Sequence, residues 1–255
     1  MLDTIRHDTI TELRLARPPV NALDPGLVRA LRTAIDAAPS AGARGIVLSG
    51  RPGMYSGGLD VPALLQLDRG ALRAFLDDFF SLCGAIACSP IPIVAAITGH
   101  SPAGGAVLSI FCDYRIMARS ADAAKPYRIG LNEVQVGLSV PAVIQSGLQR
   151  LVGRYRAERL MVAGTMLDAD EALRIGFVDE LAAVDAVVPR AIEWLQQLLR
   201  LSPLAMSTTR KLARRDLADT FADRTTWLLD EFAAAWFGPE TQDALVALVA
   251  RLKKS

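Results

Sequence analysis

The sequence predicts an α/β protein in which parallel strands alternate with helices, followed by a helical C-terminal region. Strand-like and helix-like apolar patterns alternate over the first half of the chain, which is typical of parallel crossover connections. The last third has helical periodicity almost throughout. In addition, 51% of the 255 residues are apolar, which is enough for a substantial core. A chain of this length forms one large domain, or one domain with an appendage.

The first predicted elements are a strand and a capped helix. Residues 10–15 alternate apolar and polar side chains, which is the period of a half-buried strand. The pair Pro18-Pro19 ends this strand. Asp24 then supplies a helix cap, and Pro25 suits the first helical turn. The predicted helix carries one apolar face, formed by Leu27, Leu31 and Ile35.

Two buried strands and two helices are predicted next. Residues 45–50 form an apolar run bounded by glycines, and residues 51–60 form a loop. A helical pattern then runs to about Cys88, with Leu72, Phe75, Leu76, Phe79 and Leu82 on one face. Residues 93–98 form the next strand. A turn at residues 99–102 leads into a helix that begins near Gly104.

Helices dominate the rest of the chain. Residues 113–118 are predicted to form a strand. From about Pro141 onward, only residues 177–180 are predicted to form another strand. The last helices have wide apolar faces, which indicates packing against a second subunit as well as the chain's own core. These faces carry Trp194, Leu195, Leu198, Phe221, Trp227, Leu228, Phe232 and Trp236. We therefore predict a core of residues 1–195 and a helical oligomerisation region of residues 196–255.

Composition and charge argue against several classes of function. The formal net charge is +1 without a basic stripe, so nucleic acid is not an expected partner. Three cysteines and two histidines lack the spacing of a metal site, so no bound metal ion is expected. No segment resembles a signal peptide, and no apolar run approaches the roughly 20 residues of a spanning helix. A cytoplasmic protein without a membrane partner is the expectation.

One motif invites a hydrolase interpretation. Residues 99–103, Gly-His-Ser-Pro-Ala, nearly match the Gly-x-Ser-x-Gly turn that carries the nucleophile of α/β-hydrolases. That fold needs a histidine downstream of the serine, whereas His7 and His100 both precede Ser101. The sequence therefore favours a tight turn whose serine satisfies backbone groups.

Two glycine pairs, Gly57-Gly58 and Gly104-Gly105, each lie where a loop enters a helix. The first N–H groups of a helix have no internal acceptor, and glycine lets a ligand oxygen come close. A carbonyl held between two such amides would be polarised, and its enolate would be held more strongly than its ground state. Either pair could equally be an ordinary turn.

Glu133 lies in a mostly apolar stretch, between residues 129–131 and 134–140. Burial there would raise its pKa, because burial disfavours the charged form, and a general base near neutral pH benefits from that shift. The alternative is a surface glutamate at the end of a strand.

Taken together, these segments resemble the enoyl-CoA hydratase/isomerase family, also called the crotonase superfamily. The order and spacing of the motifs carry the resemblance, which runs from about residue 10 to about residue 200. The matching segments are 55–60 (YSGGLD), 99–105 (GHSPAGG), 112–118 (CDYRIMA), 130–133 (GLNE), 157–160 (AERL) and 170–179 (DEALRIGFVD).

The resemblance implies a crotonase-type spiral of ββα units, followed by helices that build a homotrimer, often paired into a hexamer. It implies acyl-CoA thioesters as substrates, with coenzyme A as part of the substrate. The N–H groups of Gly57 and Gly104 would form the oxyanion hole. Residues 56–60, which are Ser56, Gly57, Gly58, Leu59 and Asp60, would line the thioester and pantetheine side, and Asn132 would lie beside the base Glu133.

The acidic residues favour one reaction of this family. Hydratases of the family use two glutamates, and here Val107 stands at the position of the first while Glu133 fills the second. This single-acid pattern looks most like the Δ3,Δ2-enoyl-CoA isomerases, which need one proton shuttle from C2 to C4. The alternatives are a hydratase or another crotonase-type enzyme, such as a thioesterase or decarboxylase, and a non-catalytic acyl-CoA binder.

Overall fold

The computed structural model of the protein describes residues 1–252 and contains two sheets surrounded by helices. Its strands are β1 (Leu2–His7), β2 (Ile10–Leu15), β3 (Gly45–Ser49), β4 (Gly53–Met54), β5 (Ile93–Ile97), β6 (Gly99–Pro102), β7 (Tyr114–Arg119), β8 (Arg128–Gly130), β9 (Leu167–Asp168) and β10 (Glu180–Ala183). Its first six helices are α1 (Pro25–Ala37), α2 (Val61–Leu64), α3 (Arg69–Cys88), α4 (Gly104–Ile110), α5 (Ala142–Val152) and α6 (Arg154–Val162).

Six further α-helices and two short 3₁₀ helices complete the described chain. The α-helices are α7 (Ala169–Arg174), α8 (Val187–Leu198), α9 (Pro203–Ala213), α10 (Arg215–Ala222), α11 (Leu229–Trp236) and α12 (Pro239–Leu252). The 3₁₀ helices are Glu133–Val136 and Arg224–Trp227. Within the part of the chain that the structure describes, no helix is both long and apolar enough to cross a membrane.

The larger sheet has the strand order β1-β2-β3-β5-β7-β10. Only the β1–β2 hairpin is antiparallel, and the following pairs are parallel. The central strands are buried on both faces, as crossover connections require. In β3, for example, Ile46 and Leu48 join the main core, whereas Val47 faces a second core layer formed with Val187 and Leu195 of α8.

The smaller sheet has the order β4-β6-β8-β9 and is made of very short strands. Each consecutive pair, β3–β4, β5–β6 and β7–β8, gives one strand to the larger sheet and one to the smaller, and helical structure follows. This repeated ββα unit confirms the predicted spiral. It places the segments that follow β4, β6 and β8 side by side, because these three strands pair in parallel.

Two predicted elements differ from the structure. Residues 99–102 form strand β6 rather than a turn, since they pair with β4 and β8. The strand predicted at residues 177–180 begins later, as β10 at Glu180. Gly176 follows α7 with φ = 81°, and Phe177 and Val178 are buried in the core before the chain pairs with β7. Strand β1 was not predicted, because its side chains do not alternate regularly between apolar and polar.

The C-terminal helices dock onto the α/β core through a partly buried ion cluster. Arg210 of α9 donates Nε and Nη2 to both carboxylate oxygens of Asp113 at 2.7 and 2.9 Å. Arg214 donates to Asp113 at 3.3 Å and to the Ala87 carbonyl at 3.1 Å. These bidentate bonds fix how the helical region lies over the cavity described below. The predicted division of the chain at residues 195 and 196 stays a prediction.

Candidate active site

A cavity of about 970 Å³ lies where the segments after β4, β6 and β8 meet. Six of the predicted site residues line it: Gly57, Leu59, Asp60, Gly104, Asn132 and Glu133. The larger part of its wall is apolar, and helices α3 and α11 contribute to it Leu76, Phe79, Phe80, Phe232 and Trp236. A mostly apolar cavity with a few convergent polar groups is the usual form of a small-molecule site.

The first glycine turn is held by the side chain of Ser56. Its hydroxyl donates to the Asn21 carbonyl at 2.8 Å and accepts the Gly58 N–H at 3.2 Å. Gly58 has φ = 86°, a left-handed conformation that suits glycine. Ser56 and Gly58 therefore shape the turn from behind the cavity lining formed by the described residues.

Asp60 closes the same turn. Its carboxylate caps α2 by accepting the Ala63 N–H at 3.0 Å, and it pairs with Arg17 at 2.6 Å. Although Asp60 borders the cavity, its carboxylate is therefore already engaged by groups of the protein. Its predicted role in substrate binding stays a prediction.

The second glycine turn begins helix α4. Ala103 has φ = 43° and donates its N–H to the Gly130 carbonyl at 2.8 Å. Within residues 1–252, the N–H of Gly104 meets no hydrogen-bond acceptor, as is usual in a first helical turn. A methyl group built on Gly58 would lie 3.3 Å from the Gly104 nitrogen, so the two turns touch.

The Gly57 amide is not free in this structure. Its N–H donates to the Val20 carbonyl at 2.7 Å. Of the two amides that the sequence assigns to an oxyanion hole, Gly104 is thus open and Gly57 is occupied by another part of the chain. The sequence did not predict this contact of Val20, because Pro18-Pro19 indicated only the end of a strand.

Glu133 opens the 3₁₀ helix Glu133–Val136 and reaches the cavity. The residue is half-buried, but its Oε2 atom is fully enclosed and has no hydrogen-bond partner among the described residues. Burial raises the pKa of the Glu133 carboxyl to about 7, slightly offset by a backbone hydrogen bond. A glutamate in this setting can accept a proton near neutral pH.

Two contacts fix the short helix that carries Glu133. Gln135 donates Nε2 to the Gly164 carbonyl at 2.9 Å, and Thr241 of α12 donates its hydroxyl to the Gly137 carbonyl at 2.8 Å. The amide of Asn132, next to the base, makes a long contact of 3.4 Å with Gln135, while its Oδ1 is buried without a partner within residues 1–252. The C-terminal region therefore helps to position the candidate base.

The hydrolase interpretation fails for a geometric reason. Ser101 is fully buried in β6, and its hydroxyl has no hydrogen-bond partner in the described part of the chain. The prediction of a tight turn in which this serine satisfies backbone groups was therefore wrong. The ring of His100 accepts the Arg128 N–H at 3.2 Å. Among residues 1–252, no group of three or more His, Cys, Asp or Glu side chains could hold a metal ion.

The raised pKa of Glu133 predicts a specific dependence of stability on pH. Because the folded state disfavours the carboxylate, the wild-type protein should lose stability as pH rises from about 4.5 to about 7. The glutamine of Glu133→Gln cannot ionise, so the stability of this variant lacks the same dependence on pH. The midpoint temperature of the variant minus that of the wild type should therefore be larger at pH 8 than at pH 5. Thermal unfolding monitored by circular dichroism at both pH values measures this difference, and equal differences would contradict the burial of a titrating carboxyl.

Comparison with known proteins agrees with this geometry. The chain is 28% identical over 247 residues to enoyl-CoA delta isomerase 1 of Rattus norvegicus, covering 96% of this chain and 84% of the relative. It is 32% identical over 201 residues to a probable enoyl-CoA hydratase of Mycobacterium avium, covering 77% and 75%. The crystal structure of human mitochondrial delta3-delta2-enoyl-CoA isomerase matches with a TM-score of 0.91 at 26% identity, over 99% of this chain and 98% of that one. The enoyl-CoA hydratase/isomerase family model matches residues 6–235, and the chain belongs to this family.

Proposed function

We propose that the protein is an isomerase of unsaturated acyl-CoA thioesters that moves a double bond from position 3 to position 2. The observation that carries this proposal is a single unpaired acid beside an open amide. Of the two acidic side chains that line the cavity among the described residues, Asp60 is paired with Arg17 and caps α2. Glu133 has no such partner.

The proposed mechanism uses one proton shuttle. The thioester oxygen accepts the Gly104 N–H, and the second donor is the Leu59 N–H rather than that of Gly57, because the Leu59 N–H meets no acceptor among the described residues and its nitrogen would lie 3.3 Å from a methyl group built on Gly104. The Glu133 carboxylate then removes a proton from C2. The C2–H electron pair then forms a dienolate over C1 to C4. Its negative charge rests on the oxygen, where amide donors stabilise it. The Glu133 carboxyl returns the proton to C4, the C1=O bond re-forms, and the double bond lies between C2 and C3.

The alternative is a hydratase or other crotonase-type reaction on the same ester, since one relative is named a probable hydratase. Hydration needs a group that positions and activates water in addition to a proton donor. Val107 lines the cavity at the position where family hydratases have their first glutamate, and its side chain cannot titrate. This difference favours isomerisation over hydration.

The remaining parts of the proposal concern the substrate and the assembly. Coenzyme A enters as part of the substrate, and no separate cofactor is proposed. Arg251 borders the cavity and offers positive charge, whereas Arg17, which also borders it, is paired with Asp24 and Asp60. Lys253 and Lys254 of the basic C-terminal end lie outside the described residues. We propose a homotrimer or hexamer, as the family resemblance implies.

Two assays on the purified protein test the proposed reaction. We expect 3-hexenoyl-CoA to be converted to 2-hexenoyl-CoA at least about 100-fold faster than crotonyl-CoA is hydrated, because one acid can shuttle a proton but cannot also activate water. Incubation of a saturated acyl-CoA in heavy water should introduce deuterium at C2, measured by mass spectrometry. Faster hydration would support the alternative reaction, and absence of both turnover and exchange would leave only a binding function.

A further inference from the structure

Leu23, the last residue before the cap of α1, is bonded to the first glycine turn through its backbone. Its N–H donates to the Gly58 carbonyl at 2.8 Å, and its carbonyl accepts the Asp60 N–H at 3.1 Å. Leu23 and Leu59 thus form an isolated parallel bridge. The two bonds engage the peptide groups on either side of Leu59 and leave the Leu59 N–H without an acceptor in the described part of the chain.

The first of these bonds also sets the direction of the Leu59 N–H. The Gly58 carbonyl and the Leu59 N–H belong to one peptide unit, and in a planar trans peptide the two groups point in opposite directions. Because the Leu23 N–H holds the carbonyl, the Leu59 N–H faces away from the backbone of Leu23. Among residues 1–252, Leu59 and Gly104 are part of the cavity wall and Leu23 is not. Leu23 therefore holds this peptide from behind the wall.

The side chain of Leu23 supports the second glycine turn. It is fully buried, and its Cδ1 atom would lie 3.2 Å from a methyl group built on Gly104. The Leu59 nitrogen would lie 3.3 Å from the same methyl group. Protein interiors are close-packed and transmit small displacements. A change in the Leu23 side chain should therefore reach Gly104 at the start of α4.

The position of Leu23 is fixed in turn by the start of α1. Asp24 caps this helix by accepting the Leu27 N–H at 2.8 Å, so the extended segment ends at Leu23. Asp24 also pairs with Arg17 at 3.2 Å. A cap of this kind holds the chain firmly at the helix entrance.

We propose that Leu23 is a positioning residue that sets the relative placement of the two amide donors, the Leu59 N–H through its backbone and the Gly104 N–H through its side chain. This inference rests on the proposed function, because both donors hold the oxygen of the proposed thioester. Donors that are placed in advance stabilise a developing oxyanion without reorganising during the reaction. A change at Leu23 should therefore weaken binding of the dienolate more than binding of the ester.

Shortening the side chain tests this role. Leu23→Val keeps the backbone bonds and removes both δ-methyl groups, so the support of Gly104 is lost. We expect kcat for 3-hexenoyl-CoA to fall about tenfold, since a displacement of about 1 Å at a reacting centre can cost roughly 10²-fold. KM should change by less than about twofold. Leu23→Met keeps an atom at the δ position and nearly the same volume, and its kcat should stay within about twofold of the wild type.

The matched control is Leu31→Val in α1. Leu31 is as fully buried as Leu23, and it is not part of the described cavity wall. Both valine variants should lower the unfolding midpoint, measured by circular dichroism, because both lose buried methyl groups. Only Leu23→Val should lose kcat, and equal losses in the two variants would show that Leu23 serves general stability alone. If Leu23→Val does not fold, the volume-conserving Leu23→Ile takes its place with the same expectation.

The carbonyl stretching frequency of bound octanoyl-CoA, labelled with ¹³C at C1, reports the two donors directly. Hydrogen-bond donors polarise the C=O bond, so infrared difference spectra should show a lower frequency on the wild type than in water. In Leu23→Val the frequency should move back toward the value in water, and in Leu31→Val it should match the wild type. An unchanged frequency and kcat in Leu23→Val would refute the inference alone. A wild-type protein that binds octanoyl-CoA without lowering the frequency would refute the oxyanion hole, and with it the proposed function.

Discussion

Replacing Glu133 by glutamine should abolish isomerisation while leaving acyl-CoA binding intact. The amide has nearly the shape of the carboxyl but cannot accept the C2 proton, and positioned general bases contribute about 10² to 10⁴ in rate. We expect turnover of 3-hexenoyl-CoA to fall at least about 10³-fold. The dissociation constant of octanoyl-CoA, measured by calorimetry, should change by less than about threefold, because burial already favours the neutral form of this residue.

Two control variants separate this role from a general loss of charge. Glu158→Gln removes an exposed carboxylate on α6 and should retain the wild-type rate. Asp60→Asn changes the other acid of the cavity wall, and it should lower stability through the cap of α2 while retaining deuterium exchange at C2. A Glu133→Gln variant that still exchanges the C2 proton at a near-normal rate would show that another group is the base.

The sequence was sufficient to predict which segments line one cavity, because each candidate residue carries a local signature. Gly57 and Gly104 stand in glycine-rich turns that precede helices, and Glu133 is an isolated acid in an apolar stretch. Alternating patterns in the first half of the chain predicted parallel crossover connections, whereas the ββα repeat was implied by the family resemblance. Parallel pairing of β4, β6 and β8 then explains why segments far apart in sequence line one cavity.

Features that depend on tertiary contacts could not be predicted in the same way. The strands of the smaller sheet have two to four residues, too few for a period of alternation to be visible. The bond between Gly57 and Val20 joins two loops whose sequences carry no sign of their pairing. Asp60 follows the first glycine turn in the family motif, yet its structural partners, Arg17 and the α2 backbone, emerge only from the fold.

Substitution of Gly105 by alanine should damage catalysis more than its distance from the substrate suggests. A methyl group at this position would lie 2.7 Å from the Ser56 carbonyl oxygen and 3.0 Å from the Ser101 hydroxyl. The Ser56 carbonyl belongs to the glycine turn that carries the Leu59 N–H, so relief of this clash must move the proposed oxyanion donor. A displacement of about 1 Å at a reacting centre can cost roughly 10²-fold in rate. We expect a loss of that order in kcat for 3-hexenoyl-CoA.

The same clash should lower the free energy of unfolding by about 1–3 kcal/mol, as is usual when a methyl group is forced into a packed interior. Gly70→Ala is the matched control, because this exposed glycine on α3 has only the flexible Asp68 carboxylate at 3.4 Å from the new methyl group. Alanine there should be neutral or stabilising by up to about 1 kcal/mol, since it favours helix more than glycine does. Urea unfolding and steady-state kinetics on both variants separate the two effects. A destabilised Gly105→Ala enzyme with unchanged kcat would mean that the first glycine turn takes no part in stabilising the dienolate, and that Gly104 acts without it.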